Sequence, residues 1–143
     1  MGEAGLEARW ENAGFRIESA ESVAARLMDR WPDTDAIIAG NNVVAVGTLR
    51  ALRERGTLIP DEVGFVCFDD PAWAELIDPP LTALAQPLRA MVAAAVRLLI
   101  DDIQGRRRQP QQLVFSLDLR VRRSSRPLAV AGEHAPNAAT KEG

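Results

Sequence analysis

Two pairs of adjacent polar residues, Asn41-Asn42 and Asp69-Asp70, each follow a short apolar run and precede a helix-like segment. Their chemistry is hydrogen bonding. A carboxylate accepts from two hydroxyl groups, and a side-chain amide both donates and accepts, so the set suits a polyhydroxylated ligand. Two other roles stay open. Asn and Asp are favoured helix N-caps, which accounts for Asn42 and Asp70 without any ligand. Capping is a less obvious role for Asn41 and Asp69. Asp69-Asp70 would also serve as an acid/base pair or as half of a Mg²⁺ site. Against that, adjacent residues at a strand end point apart, and no third carboxylate lies in a partner motif.

The remaining chemical inventory is thin. The 143 residues include one histidine, His134 in a polar tail, one cysteine and no tyrosine. Histidine-based catalysis and Cys/His zinc sites are thereby close to excluded. Cys67 cannot form an internal disulfide, fits a reducing cytoplasm, and lies in an apolar run as an inert core residue. There is no glycine-rich dinucleotide or P-loop motif. Gly105-Arg106-Arg107-Arg108 reads as a solvated loop after a helix end, where cations suit the dipole. The net charge is −3, with acidic residues concentrated in 1–80 and arginines in 81–126. That pattern is unlike a domain that binds nucleic acid through its own field. Neither enzymatic activity nor a cofactor is expected. No apolar run is long enough to span a bilayer, and no signal region opens the chain.

The elements that must position the polar pairs follow from spacing. Residues 3–13 carry Leu6, Trp10 and Ala13 at helical intervals and stop at Gly14. Phe15 to Ile17 is a strand candidate. Ser19 is placed to cap a helix whose face is Val23, Ala24, Leu27, Met28 and Trp31, ending before Pro32. Ala36 to Ala39 and Val63 to Phe68 are short continuous apolar runs, as strands buried on both faces should be. Each feeds a helix: Val43 to about Arg55, capped by Asn42 and ended by Gly56, and a short one through Trp73 and Leu76, capped by Asp70 with Pro71 at its first position. Strands connected in this way should be parallel neighbours, with Asn41 and Asp69 on one edge. Leu81 to Ala85 is a third extended segment. Pro87 starts the longest helix, striped by Leu88, Met91, Val92, Ala95, Val96, Leu99 and Ile103 and closed by Gly105. Leu113 to Leu117 and Leu119 to Arg122 read as strands. Residues 127–143 read as a disordered tail. Alternating strands and helices predict an α/β fold, an open and mainly parallel sheet flanked by helices.

The order of motifs resembles the lactose-repressor/galactose-repressor (LacI/GalR) family. Thr34 to Asn42, with Val46-Gly47 and Leu49 to Leu52 behind it, is similar to that family's first strand-and-helix segment. Ile59-Pro60-Asp61-Glu62-Val63 through Phe68-Asp69-Asp70 is similar to its "P-x-D-V-x-V-x-G-F-D-D". Pro79 to Gln86 resembles "P-P-L-T-T-V-x-Q", and Val121 to Ser125 resembles the closing "V-x-R-x-S-T". Three positions depart from the pattern: Asn42 stands for Asp, Cys67 for Gly and Ala83 for Thr. The first two flank the expected pocket, so the identity of the effector is not given by the resemblance.

The resemblance implies a periplasmic-binding-protein-like effector domain, of which residues 1–126 are the C-terminal lobe with part of the N-terminal lobe. The long helix and the segment near 113–117 would belong to the latter, leaving the helix stripe without a partner in residues 1–80. The resemblance further implies a cytoplasmic regulator that binds a small polar effector, a sugar, through Asn41, Asp69 and Gln86. It implies a homodimer through Val43, Val46, Leu49, Trp73, Leu76 and Ile77. Operator DNA would be a partner only through a helix-turn-helix domain that this sequence does not contain. The alternative is a periplasmic-type solute-binding protein of related fold, which a signal peptide in the upstream sequence would distinguish.

Overall fold

The computed structural model describes residues 9–106 and 109–125. Four strands form one sheet in the order β1 (Ala36–Ala39), β2 (Gly64–Phe68), β3 (Thr82–Ala85), β4 (Asp118–Arg120). The first three are parallel, with Ile38 opposite Val66 and Cys67 opposite Ala83. β4 runs antiparallel to β3, pairing Leu119 with Leu84. The expected parallel pairing of the first two strands is therefore present. Of these two, however, only β2 lies inside the sheet. β1 is the sheet edge, and Ile38 is 64% exposed there, so this run is not buried on both faces as its composition suggested.

α1 (Ile17–Arg30) and α2 (Asn42–Glu54) pack closely against each other. α1 buries Ala20, Val23, Ala24 and Met28, the face read from the spacing. It begins two residues before Ser19, with Arg16 as an N-cap that makes no side-chain bond. Phe15 is accordingly in a turn and exposed, not in a strand. Residues 9–13 are not helical; they lie along α1, where Arg9 pairs with Asp33 and Glu11 with Arg30. The guanidinium of Arg30 lies over the Trp31 ring at 4.6 Å. The remainder of the helix expected over 3–13, and the tail expected from 127, lie outside the described residues.

α2 is closed by Gly56 at φ 72°. Thr57 N–H donates to the Leu52 carbonyl at 3.0 Å and Gly56 N–H to that of Arg53 at 3.1 Å, a Schellman end that a side chain at Gly56 would strain. The core between helices and sheet joins Met28, Ala39, Ala45, Leu52, Phe65 and Cys67 with Ala74, Leu81 and Ala83. The segment after β2 forms one 3₁₀ turn, Ala72–Glu75, rather than an α-helix.

α3 (Leu88–Ile103) buries none of its residues. Its stripe from Leu88 through Val92, Val96 and Leu99 to Ile103 faces outward. Residues 113–117 are irregular, because no neighbouring strand pairs with them; regular pairing begins only at Asp118. The chain then closes on the sheet. The buried Ser124 hydroxyl donates to the Phe65 carbonyl at 2.6 Å and accepts from Thr82 N–H at 2.8 Å. This staple ties residues 122–125 to the starts of β2 and β3.

Candidate functional site

Parallel strands deliver their following residues to one edge, where ligands of such sheets bind. Asn41, Asp69 and Gln86 follow β1, β2 and β3, so all three emerge on that edge. Asp69 is the meeting point. Its Oδ1 accepts from Gln86 Nε2 at 2.6 Å, and its Oδ2 accepts a long bond from Asn42 N–H at 3.4 Å. Its own N–H extends the ladder by donating to the Leu84 carbonyl at 3.1 Å. Asp69 is the one non-glycine residue at positive φ among the described residues, at 70°.

Asn41 rather than Asn42 is the cap of α2. Its Oδ1 accepts from Val44 N–H at 2.8 Å, while Asn42 is already the first helical residue. Capping consumes the oxygen and leaves the amide NH₂ as the group a ligand can meet. The edge thus offers a carboxylate acceptor, an amide donor and the Gln86 carbonyl oxygen, a set that suits adjacent hydroxyl groups.

Asp70 is not a cap either, since the 3₁₀ turn is preceded by Pro71 with no side-chain bond. Both Asp70 oxygens are taken by arginine: Oδ1 by Arg122 at 2.7 Å, and Oδ2 by Arg122 at 3.0 Å and Arg120 at 2.6 Å. Its side chain is 6% exposed and that of Arg122 14%. With its oxygens committed and its partners separate from those of Asp69, Asp70 does not form an acid/base or metal-binding pair with it. Among the described residues, no three His, Cys, Asp or Glu side chains are grouped to hold a metal ion.

The Arg122 bonds hold the Asp70 carboxyl below its ordinary pKa of 3.8, with burial opposing them, and the same pairing raises Arg122. Because the folded pKa is the depressed one, the stabilisation is fully present above 3.8 and is lost as pH falls through the lower folded value. Asp70→Asn should therefore cost about 1 kcal/mol at neutral pH, as charge-assisted bonds become neutral ones. In urea titrations the gap between wild type and variant should narrow as the pH is lowered below 3.8. A gap unchanged across that range would show that the charge of Asp70 contributes nothing.

Cys67 is fully buried beneath the site, and burial first, then the nearby Asp70 and Asp69 charges, push its thiol up to about 11. It donates weakly to the Asp69 carbonyl at 3.4 Å and is not a nucleophile at neutral pH. Of the positions expected at a dimer interface, Leu49, Trp73 and Ile77 pack partly against the core, Val43 and Val46 are half-buried, and Leu76 is 84% exposed. Arg106 is paired with Asp101 at 2.6 Å; the next two arginines lie outside the described residues. Sequence reasoning gave Arg122 no role. The only signal was its place in the closing Val121-Arg122-Arg123 motif, which does not name a partner 52 residues away.

Comparisons with known proteins agree with this architecture. The periplasmic binding protein-like domain matches residues 1–125. The HTH-type transcriptional regulator CelR of Thermobifida fusca is 37% identical over 110 residues, covering 77% of this chain and 32% of that protein. A solved CelR–cellobiose complex superposes with a TM-score of 0.75 at 34% identity, over 86% of this chain and 38% of that one. A LacI family transcriptional regulator from Arthrobacter sp. FB24, in complex with lactose, gives 0.73 at 30% identity, over 87% and 48%. The chain spans about a third of the length of the curated relatives it matches.

Proposed function

Because the chain belongs to the periplasmic binding protein-like domain family, in the form found in LacI-type regulators, we propose that it is the effector-sensing portion of such a regulator and forms one wall of a sugar site. The observation that carries this reading is the convergence of Asn41, Asp69 and Gln86 on the carboxyl edge of three parallel strands. The sugars named with the similar structures, cellobiose and lactose, present the adjacent hydroxyls that this set suits. In the whole protein, effector binding alters the relation of two lobes and thereby the spacing of DNA-binding heads across a dimer, a coupling between two sites. Operator recognition then belongs to a helix-turn-helix element that these residues do not supply.

One wall makes few of a full site's bonds, so the chain alone binds in the millimolar range, on the order of 4 kcal/mol. An NMR titration of the ¹⁵N-labelled chain with cellobiose, lactose and ribose tests the reading. The amides of Asn41, Asp69 and Gln86 should shift while those of Val23 and Ala24 in α1 stay still. Shifts confined to other surfaces, or none with any of the three sugars, would refute it.

The proposed homodimer uses the half-buried Val43 and Val46 of α2 and the exposed Leu76. A self-complementary apolar patch is the commonest route to a two-fold dimer. Val46→Asp should yield monomers in sedimentation at concentrations where wild type is dimeric, because an unpaired charge would be buried at the interface. A dimer that persists in the variant places the interface elsewhere.

A further inference from the structure

Asp69 and Asp70 are consecutive, yet only Asp69 faces the other candidate ligand residues. Asp70 is turned the other way and is gripped. Arg122 closes a two-bond fork on it at 2.7 and 3.0 Å, and Arg120 adds a third contact at 2.6 Å. Arg122 is itself anchored. It donates to the Leu81 carbonyl at 2.6 Å and to Glu75 at 2.8 Å. Its backbone N–H donates to the Thr82 hydroxyl at 2.8 Å, and that hydroxyl donates back to the Arg122 carbonyl at 2.9 Å. The fork is thus fixed to β3 before it reaches Asp70.

One residue earlier the backbone is in the left-handed region, at φ 70° for Asp69. A non-glycine residue stays there only where its surroundings over-determine it. The ladder bond to Leu84 fixes Asp69 on its N-terminal side. On its C-terminal side the Asp69 carbonyl takes only the weak Cys67 thiol bond at 3.4 Å, and the first strongly held group is the Asp70 carboxylate, whose distance and orientation a planar guanidinium sets.

We propose that the Asp70–Arg122 fork is a positioning device for effector recognition, holding the exit of β2 so that Asp69 keeps its left-handed backbone and aims its carboxylate at Gln86 and the ligand edge. The proposal rests on the reading of Asp69 as a ligand residue. Asp70 and Arg122 touch no ligand; they act through Asp69.

The first readout needs no ligand. In the isotopically labelled 143-residue chain, Arg122→Leu should release Asp69 from the left-handed region. Its Cα shift should move toward extended values, and its amide should exchange about tenfold faster, while Val23 and Ala24 in α1 keep their protection. Arg122→Lys retains charge without the fork and should behave like Arg122→Leu. Should Arg122→Leu fail to fold, the isosteric Asp70→Asn carries the same readout. A folded variant in which Asp69 keeps its shift and protection overturns the proposal, as does full rescue by lysine. The cellobiose, lactose and ribose titrations then separate the two ideas. Loss of response in Asp69→Asn and in Arg122→Lys supports both. Loss in Asp69→Asn alone removes the positioning role. An undiminished response in Asp69→Asn removes the ligand reading, and the ligand-free comparison still decides whether the fork holds Asp69.

Discussion

Phe65→Ala should lower the stability of the chain by roughly 3–5 kcal/mol, the range for deleting a buried aromatic ring. Phe65 is among the largest fully buried side chains, at 0% exposed, and lies on β2, one of the two strands with neighbours on both sides. Its ring joins the cluster that includes Met28, Leu52 and Leu81. Both of its backbone groups are bonded to Ser124, so the strand is held in place and cannot collapse into the vacated space. A loss of that size is a large fraction of the 5–15 kcal/mol that domains typically have. Urea unfolding followed by tryptophan fluorescence measures it. Ile38→Ala on the exposed edge strand is the control and should cost less than about 1 kcal/mol. A Phe65→Ala cost as small as the control's would mean that the described core is not the packed one.

Gly47→Ala should also be harmful, though less so, and for the opposite reason. A methyl group there would lie 2.5 Å from the Ile17 carbonyl oxygen, 2.6 Å from Ala20 Cβ and 2.8 Å from Glu21 N. Two of the three are backbone atoms of α1, which cannot rotate away. Alanine would otherwise favour the helix by about 1 kcal/mol. Overpacking typically costs 1–3 kcal/mol and occasionally more, and rigid neighbours place this site at the upper end. The net expectation is a loss of about 2 kcal/mol, or a melting temperature lower by about 10 °C. Gly40→Ala, with nothing within 4 Å of the added methyl, should change stability by less than about 0.5 kcal/mol. Equal melting temperatures for the two variants would show that α1 and α2 do not approach this closely.

The fold was legible where periodicity and chain reversal agree. The α1 face, the two parallel strands and the long α3 follow from apolar spacing because burial dictates that spacing. Boundaries set by capping were not legible. At Asn41-Asn42 the cap expected from the sequence is Asn42, but both residues are of capping type and the chain uses Asn41, so its oxygen serves the helix. For Asp70 the same local reasoning failed because a stronger partner arrives from residue 122. A helix cap is a local contest, whereas an ion pair across 52 residues exists only after the sheet is assembled. Ala36–Ala39 shows a related limit: four apolar residues look alike in a central strand and at an edge, and only the count of neighbouring strands tells them apart. The convergence of Asp69 and Gln86 was foreshadowed by their motifs, but the hydrogen bond between them was not.

The outward-facing stripe of α3 also bears on how the chain comes apart. Sixteen residues with no fully buried side chain stand near the length at which local propensity alone holds a helix. Its Ala, Leu and Arg content favours that state, and a Schellman bond from Arg106 N–H to the Asp101 carbonyl at 2.9 Å closes its end. Still, α3 shares no buried surface with Phe65 or Leu52, so its melting and theirs are separate events. The described residues should therefore behave as two cooperative units, a core that unfolds all at once and a helix that frays by itself at small cost. Far-ultraviolet dichroism counts both units, while the fluorescence changes of Trp31 and Trp73 report the core, so the two curves should not coincide, and the free energy read by fluorescence belongs to the core.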